Sequence, residues 1–245
     1  MHALLTTTKM EARLLTREPL MLFFGIAFPS ILLTVLALMP RLSEPDPNLG
    51  GVRFIDYFAP SLVVLTLAMI ALQGVPNTLA AYRDEGILRR LSVTPASPAL
   101  ILIAQLVVNL AAALVSTALV MVIGRLAFAI PLPRYIVGFT VAFMVGITAM
   151  FALGLVIAAV ARSARAASGM ATVTYLLAIF FGGVMLPRFL LPDAVARIGA
   201  YVPPGVQALT DAWIGSAPPQ TTHLLIMAGI AAVAAVVAAK LFRWE

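Results

Sequence analysis

Charged side chains are scarce in this sequence. They make up 11% of its 245 residues, while 62% of the residues are hydrophobic. A soluble globular domain carries about 25% charged residues, because its surface faces water. The composition therefore excludes an ordinary soluble domain and predicts that a lipid bilayer surrounds most of the chain.

Cysteine is absent, which excludes disulfides, thiolate metal sites and cysteine nucleophiles. Neither Lys9 nor Lys240 follows a glycine, so the sequence has no P-loop. The H-E-x-x-H and G-x-S-x-G motifs are also missing. His2 and His223 are interpreted as exposed terminal or interfacial residues. We expect no catalytic, metal or cofactor site in this chain, and no enzymatic activity of its own.

Six long apolar segments are present. A helix needs about 20 apolar residues to cross the hydrocarbon core of a bilayer, and all six segments are close to that length or longer without containing Asp, Glu or Arg. The sequence therefore predicts an all-α polytopic membrane protein with six transmembrane helices. The predicted spans are residues 20–39, 57–81, 99–123, 135–160, 168–186 and 222–241.

The distribution of basic residues predicts the orientation. If the N-terminus lies inside, ten of the 16 Lys and Arg residues fall in inner segments and six in outer ones. Positive charge prefers the cytoplasmic side, so both termini are expected to be cytoplasmic. The excess of Arg over Lys is typical of a GC-rich bacterial genome, which places the protein in a bacterial plasma membrane. No basic run is long enough for nucleic acid binding.

Residues 1–19 form an amphipathic pattern before the first span. Lys9, Arg13 and Arg17 form one stripe at helical spacing, with apolar residues opposite, and Pro19 separates this segment from the span. The pattern predicts a cytoplasmic helix in the membrane interface, with its basic stripe toward lipid headgroups or a partner. A leader that only fixes the topology is an equal alternative.

The segment 82–98 after the second span is short and rich in charge. Its apolar residues fall on one side of a helix and its charged residues on the other. Two interpretations follow. The segment is either a short amphipathic helix that docks into a groove of another protein, or a solvated loop whose arginines obey the positive-inside rule. Composition alone favours the solvated loop.

Two motifs resemble those of a known family. The stretch Arg83-Asp-Glu-Gly-Ile-Leu-Arg-Arg-Leu-Ser-Val-Thr-Pro-Ala-Ser-Pro98 resembles the signature of type-2 ABC transporter permeases, especially the drug-exporter branch. The segment Gly182-Gly-Val-Met-Leu-Pro-Arg-Phe-Leu-Leu-Pro192, followed by Tyr201-Val-Pro-Pro204, resembles the external segment of that family. The six spans and the N-terminal helix agree with this resemblance, which covers essentially the whole chain.

The resemblance implies a function. In that family two permease subunits form the pathway, and each docks on a separate ATPase subunit that binds ATP and Mg. The implied activity is export of a hydrophobic or amphipathic substrate, drug or lipid-like, as in multidrug efflux and antibiotic resistance. The second permease is either a copy of this chain or a homologue. The segment after the second span is then the coupling helix, with the candidate contacts Arg83, Glu85, Gly86, Leu88, Arg89 and Arg90.

Two amide pairs lie inside the predicted spans. Gln73 and Asn77 share one face of the second span, and Gln105 and Asn109 share one face of the third. Amide side chains in hydrocarbon usually form a hydrogen bond to a neighbouring helix, and each such bond stabilises the packing by about 0.6–2 kcal/mol. Helix packing is therefore the favoured interpretation, and a substrate path is the alternative. Pro76 is expected to bend the second span.

The outer segment 187–220 is long and still apolar. A short helix is expected to begin at Pro192 and Asp193 and to end before Pro203, with a second one over 207–214. Short helices satisfy the backbone where such a loop dips toward the bilayer. By resemblance the segment, with Pro187, Pro192, Asp193 and Pro203, caps the external end of the pathway. The alternative is a surface connection.

Two other function classes stay open. An ion-coupled secondary carrier usually shows internal repeats or a carboxylate at mid-membrane, and neither is found in this sequence. A membrane-embedded lipid-modifying enzyme would need loop acids such as Asp84 and Asp193 in one site. In the predicted topology these two acids lie on opposite sides of the membrane.

Overall fold

The computed structural model describes residues 2–87, 90 and 99–241. Helices make up 81% of it, and the described part of the chain contains no strand. Six of its helices are long and apolar enough to cross a membrane. The predicted all-α polytopic architecture with six spans is confirmed.

The helices follow one another with short connections. The N-terminal helix α1 is His2–Thr16, and two short helices, α7 (Asp193–Gly199) and α8 (Val206–Ile214), lie between the last two spans. Three further single turns cover Pro40–Ser43, Pro47–Leu49 and Arg188–Leu190. The six candidate spans are α2 (Pro19–Ala37), α3 (Phe54–Asp84), α4 (Ala99–Phe128), α5 (Ile136–Val160), α6 (Ala164–Phe181) and α9 (Thr221–Leu241).

The helix bounds differ from the predicted ranges mainly where polar residues extend a helix. The second span continues to Asp84 instead of ending at residue 81. The fifth begins at Ala164 instead of 168, because the Ser163 hydroxyl caps it by accepting a hydrogen bond from the Ala166 N–H at 3.2 Å. It ends at Phe181, shortly before Gly183, whose φ of 72° is left-handed. Apolar length alone does not show such caps.

Helix α3 is the centre of the bundle. In its most apolar stretch 83% of the residues are buried, against 22–28% for α2, α6 and α9. It contacts α2, α4, α5, α6 and α8. The outer helices therefore leave large apolar surfaces for lipid or another subunit, while α3 is held from all sides by this chain.

Two spans contain a wide, π-helical turn. One is Phe23–Ala27 in α2 and the other is Met69–Gly74 in α3. The two turns face each other, since a Cβ added to Gly25 would lie 3.2 Å from Cγ1 of Ile70. Pro76 follows the second turn, and such turns arise where the regular bonding pattern is interrupted. The structure thus has a widened turn directly before Pro76, and the bend expected there stays a prediction.

At the end of the bundle opposite to Asp84, Arg53 joins two spans. Its guanidinium forms a two-pronged ion pair with Asp56, at 2.7 and 2.8 Å. It also donates to the carbonyls of Phe128 and Ala129, both at 3.1 Å. These carbonyls end α4 and lack helical partners of their own. Arg53 therefore fixes the start of α3 to the end of α4.

Candidate functional site

A cavity of about 560 Å³ opens between α1, α2, α3 and α4. It lies at the end of α3 that leads into the charged segment. All four amides singled out in the sequence, Gln73, Asn77, Gln105 and Asn109, line it. The structure therefore brings the α3 pair and the α4 pair together around one space.

The amides bond mainly to their own helices. Asn77 Nδ2 donates to the Gln73 carbonyl at 2.7 Å, and Asn109 Nδ2 donates to the Gln105 carbonyl at 2.9 Å. Gln73 reaches the Thr172 hydroxyl of α6, but at a long 3.5 Å. Among these three hydrogen bonds, only the long one from Gln73 to Thr172 joins two spans.

Two amide oxygens are left over at the cavity. Oδ1 of Asn77 and Oε1 of Gln105 are buried and find no hydrogen-bond partner among the described residues. Gln105 itself is only 4% exposed. An unpaired buried acceptor costs about 1–3 kcal/mol. Both oxygens lack a donor and are enclosed in this structure, so a ligand reaches them only when their side chains turn toward the cavity.

A buried acid closes the cavity on the side of α1. Glu11 is 5% exposed, and the Tyr82 hydroxyl donates to its two oxygens at 3.1 and 3.3 Å. Burial raises the pKa of Glu11, the bond from Tyr82 opposes this, and the charge of Glu18 adds to the rise. Glu18 and Glu85 are exposed at the mouth of the same cavity. No local pattern in the sequence indicates this pair, because 71 positions separate its members.

Helix α1 packs along α4 and forms one wall of the cavity. Its predicted basic stripe, Lys9, Arg13 and Arg17, is exposed. On another face Leu15 packs against the apolar core. The apolar face of α1 thus packs on the bundle, and the position of this helix in the membrane interface stays a prediction.

The beginning of the charged segment is attached to the α5–α6 junction. The Arg83 guanidinium donates to the Ala158 carbonyl at 3.1 Å and to the Ala161 carbonyl at the end of α5. Oδ2 of Asp84 accepts from the Ala164 N–H at 2.8 Å, at the start of α6. Because these atoms lie at the end of α5 and the start of α6, a shift of α3 at this point acts on both helices.

The other predicted coupling residues differ in accessibility. Glu85 and Arg90 are exposed, and Arg90 donates to the Glu85 carbonyl at 2.8 Å. Gly86 has a left-handed φ of 68° and turns the chain after α3. Leu88 and Arg89 lie outside the described residues. Contact of these residues, and of Arg83, with an ATPase stays a prediction.

At the opposite end, α7 and α8 form the outer segment. Helix α7 begins at Asp193, directly after Pro192, and ends before Pro203, which is buried. Pro187 is half-buried in the turn that precedes them. Helix α8 covers Val206–Ile214, close to the predicted 207–214. A capping role for this segment stays a prediction.

His223 was expected to be exposed, and this expectation is wrong. The side chain is 6% exposed, because the Tyr201 ring lies edge-on against it with the ring centroids 4.9 Å apart. Within residues 2–87, 90 and 99–241, no group of three His, Cys, Asp or Glu residues is arranged to hold a metal ion.

A comparison with curated proteins gives no match. The family model described as ABC-2 type transporter matches residues 2–209, which include α1, the cavity, the charged segment and the first five spans. Membrane domains of this family are transport subunits and are not themselves catalytic. The chain therefore belongs to the ABC-2 type transporter family and is the permease subunit of an ABC transporter.

Proposed function

We propose that this chain pairs with a second permease, identical or homologous, and with two ATPase subunits that bind ATP and Mg. The complex exports a hydrophobic or amphipathic substrate, drug or lipid-like, from a bacterial cell. The observation that carries the proposal is the attachment of the charged segment to α5 and α6 through Arg83 and Asp84. A force applied after α3 thereby acts on three spans at once.

The proposed coupling starts at the ATPase. ATP binding brings the two ATPase subunits together and displaces the segment 83–98, with Glu85, Leu88, Arg89 and Arg90 as its contact residues. Arg83 and Asp84 pass this displacement to the end of α5 and the start of α6. A ligand-driven switch requires different affinities in its two states, and nucleotide on the partner supplies that difference.

The cavity is the proposed substrate path. Asn77 and Gln73 lie within three helical turns of Asp84 on the same continuous helix. A shift of the charged segment therefore changes the cavity that these amides line. The wide turn at Met69–Gly74 is suited to such a change, since π-helical turns occur frequently at functional sites.

The test is coupled transport in reconstituted vesicles. Chain and ATPase partner are coexpressed, and ATP hydrolysis and uptake of a hydrophobic dye into inside-out vesicles are measured. The triple variant Glu85→Ala, Leu88→Ala, Arg89→Ala should abolish dye uptake and reduce ATP hydrolysis to that of the ATPase alone. The matched control, Leu38→Ala, Arg41→Ala, Glu44→Ala, changes the same residue types at exposed positions of the opposite end.

Two results would contradict the proposal. Full transport by the triple variant would refute the coupling role of the segment. Dye uptake that needs an ion gradient and no ATPase would instead establish the secondary carrier.

A further inference from the structure

The cavity between α1, α2, α3 and α4 is rich in hydrogen-bond acceptors. Glu11, Glu18 and Glu85 contribute carboxylates, and Asn77 and Gln105 contribute the two unpaired amide oxygens. Four of the lining side chains that can donate, Tyr82, Thr78, Asn77 and Asn109, already donate to an acceptor of the protein. Acceptors thus outnumber unoccupied donors in this lining, which favours a ligand that brings its own N–H or O–H donors.

The charge of the cavity is negative. No Lys or Arg is found among its described lining residues. The nearest arginine along α3, Arg83, directs its guanidinium to the carbonyls of α5. The carboxylates do not converge on a metal site within the described residues. An organic cation therefore suits the cavity better than an anion or a metal ion.

The rest of the lining is apolar. Leu14, Leu15 and Leu20 come from α1 and the start of α2, with Met21, Met69 and Val108 deeper in the wall. Leu20 is 72% exposed at the mouth, so the apolar wall continues to the surface. The cavity thus has polar and apolar parts of the kind that an amphipathic molecule needs.

We propose that this cavity binds a protonated alkylamine. The ammonium group is attracted by Glu11, Glu18 and Glu85 and donates to the oxygens of Gln105 and Asn77, whose side chains turn toward it on binding. The alkyl chain lies along the apolar wall. The binding itself is independent of the proposed function; only the role of the amine as transported substrate rests on that function. A free amine fits the cavity better than an aminophospholipid, because the phosphate of the lipid would be repelled by the same carboxylates.

The test measures binding and needs no ATPase. The purified full chain in phosphatidylcholine nanodiscs is dialysed against radiolabelled octylammonium at pH 7, with empty nanodiscs to correct for partition into lipid. Octanol has the same chain without charge, and octyltrimethylammonium has the charge without N–H donors. The expected order of affinity is octylammonium, then octyltrimethylammonium, then octanol, with about tenfold between the first and the last.

Variants assign the binding to the cavity. The double change Glu18→Gln, Glu85→Gln should weaken octylammonium binding about three- to tenfold and leave octanol binding unchanged. Gln105→Met should remove the preference for octylammonium over octyltrimethylammonium. The matched control Glu44→Gln neutralises an exposed acid far from the cavity and should change neither.

Several outcomes would overturn the inference. Equal binding of octylammonium and octanol would refute cation recognition, and equal loss in Glu44→Gln would refute this site. Displacement of octylammonium by phosphatidylethanolamine in the nanodisc would refute the choice of a free amine. Failure here with intact ATP-driven dye transport leaves the transporter assignment standing, so the two proposals fail separately.

Discussion

The hydroxyl of Tyr82 donates to the carboxylate of Glu11 at 3.1 Å, and this bond joins the N-terminal helix to the end of the central span. Both residues line the cavity. The contact therefore controls two properties at once, the position of α1 on the bundle and the charge at one side of the candidate substrate path.

Removing the hydroxyl should loosen α1. In Tyr82→Phe the carboxylate of Glu11 stays buried without its donor, which costs about 1–3 kcal/mol. The natural chain has no cysteine, so spin labels attach only to the two cysteines introduced by Met10→Cys and Val107→Cys. The distribution of distances between the two labels should broaden in Tyr82→Phe and stay narrow in the control Tyr175→Phe. An unchanged distance would mean that apolar contacts alone hold α1.

The same contact should depend on pH. Burial raises the pKa of Glu11, so the docked state binds the proton more tightly than the undocked one. Docking is therefore strongest below the ordinary value of 4.5 and weakens as the pH rises from there through the raised pKa. The groups that act on Glu11 are Tyr82 and Glu18, and Glu85 lines the same cavity.

The spin-label distance measured against pH checks this expectation. The fraction of docked α1 should fall with rising pH in the natural sequence and should be nearly constant in Glu11→Gln. A docked fraction that rises with pH would contradict the sign of the effect.

Arg83→Gln should uncouple transport from ATP hydrolysis. The variant loses the charged donor to the Ala158 and Ala161 carbonyls, so displacement of the charged segment no longer reaches α5 directly. We expect dye transport to fall about tenfold while ATP hydrolysis with the partner persists. Arg125→Gln, an exposed arginine in the last turn of α4, is the control. Parallel loss of transport and hydrolysis would instead indicate a direct ATPase contact.

Gly154→Ala should destabilise the bundle. A Cβ at this position of α5 would lie 2.6 Å from the Ala71 carbonyl oxygen in the wide turn of α3. Overpacking against backbone costs about 1–3 kcal/mol. Gly169→Ala is the matched control, since a Cβ there meets no described atom within 4 Å and gains helix propensity of about 1 kcal/mol. In detergent, the thermal unfolding midpoint should fall in Gly154→Ala and rise in Gly169→Ala.

Local sequence signals predicted the helices well and the contacts between them less well. Six spans follow from apolar length, and the short helix predicted over 207–214 agrees with α8 at Val206–Ile214. The cap at Ser163 moved the start of α6, because a cap acts through one hydroxyl and leaves no apolar pattern.

The cavity itself was only partly predictable. The spacing of the amide pairs predicts one polar face on α3 and one on α4. That both faces line the same cavity depends on how the two helices pack. Glu11 and Arg53 each act on residues more than 70 positions away, so no spacing in the sequence identifies their roles.

The widened turn at Met69–Gly74 divides α3 into two parts that need not move together. Each residue of an α-helix advances the chain by about 100° around its axis. If the extra residue of the wide turn were absorbed into regular α geometry, the part from Val75 to Asp84 would rotate by about that angle. The buried half before Met69 would keep its place. Asn77 would then leave the cavity and Tyr82 would leave Glu11, so one local rearrangement would close the polar pocket and release α1 in a single step.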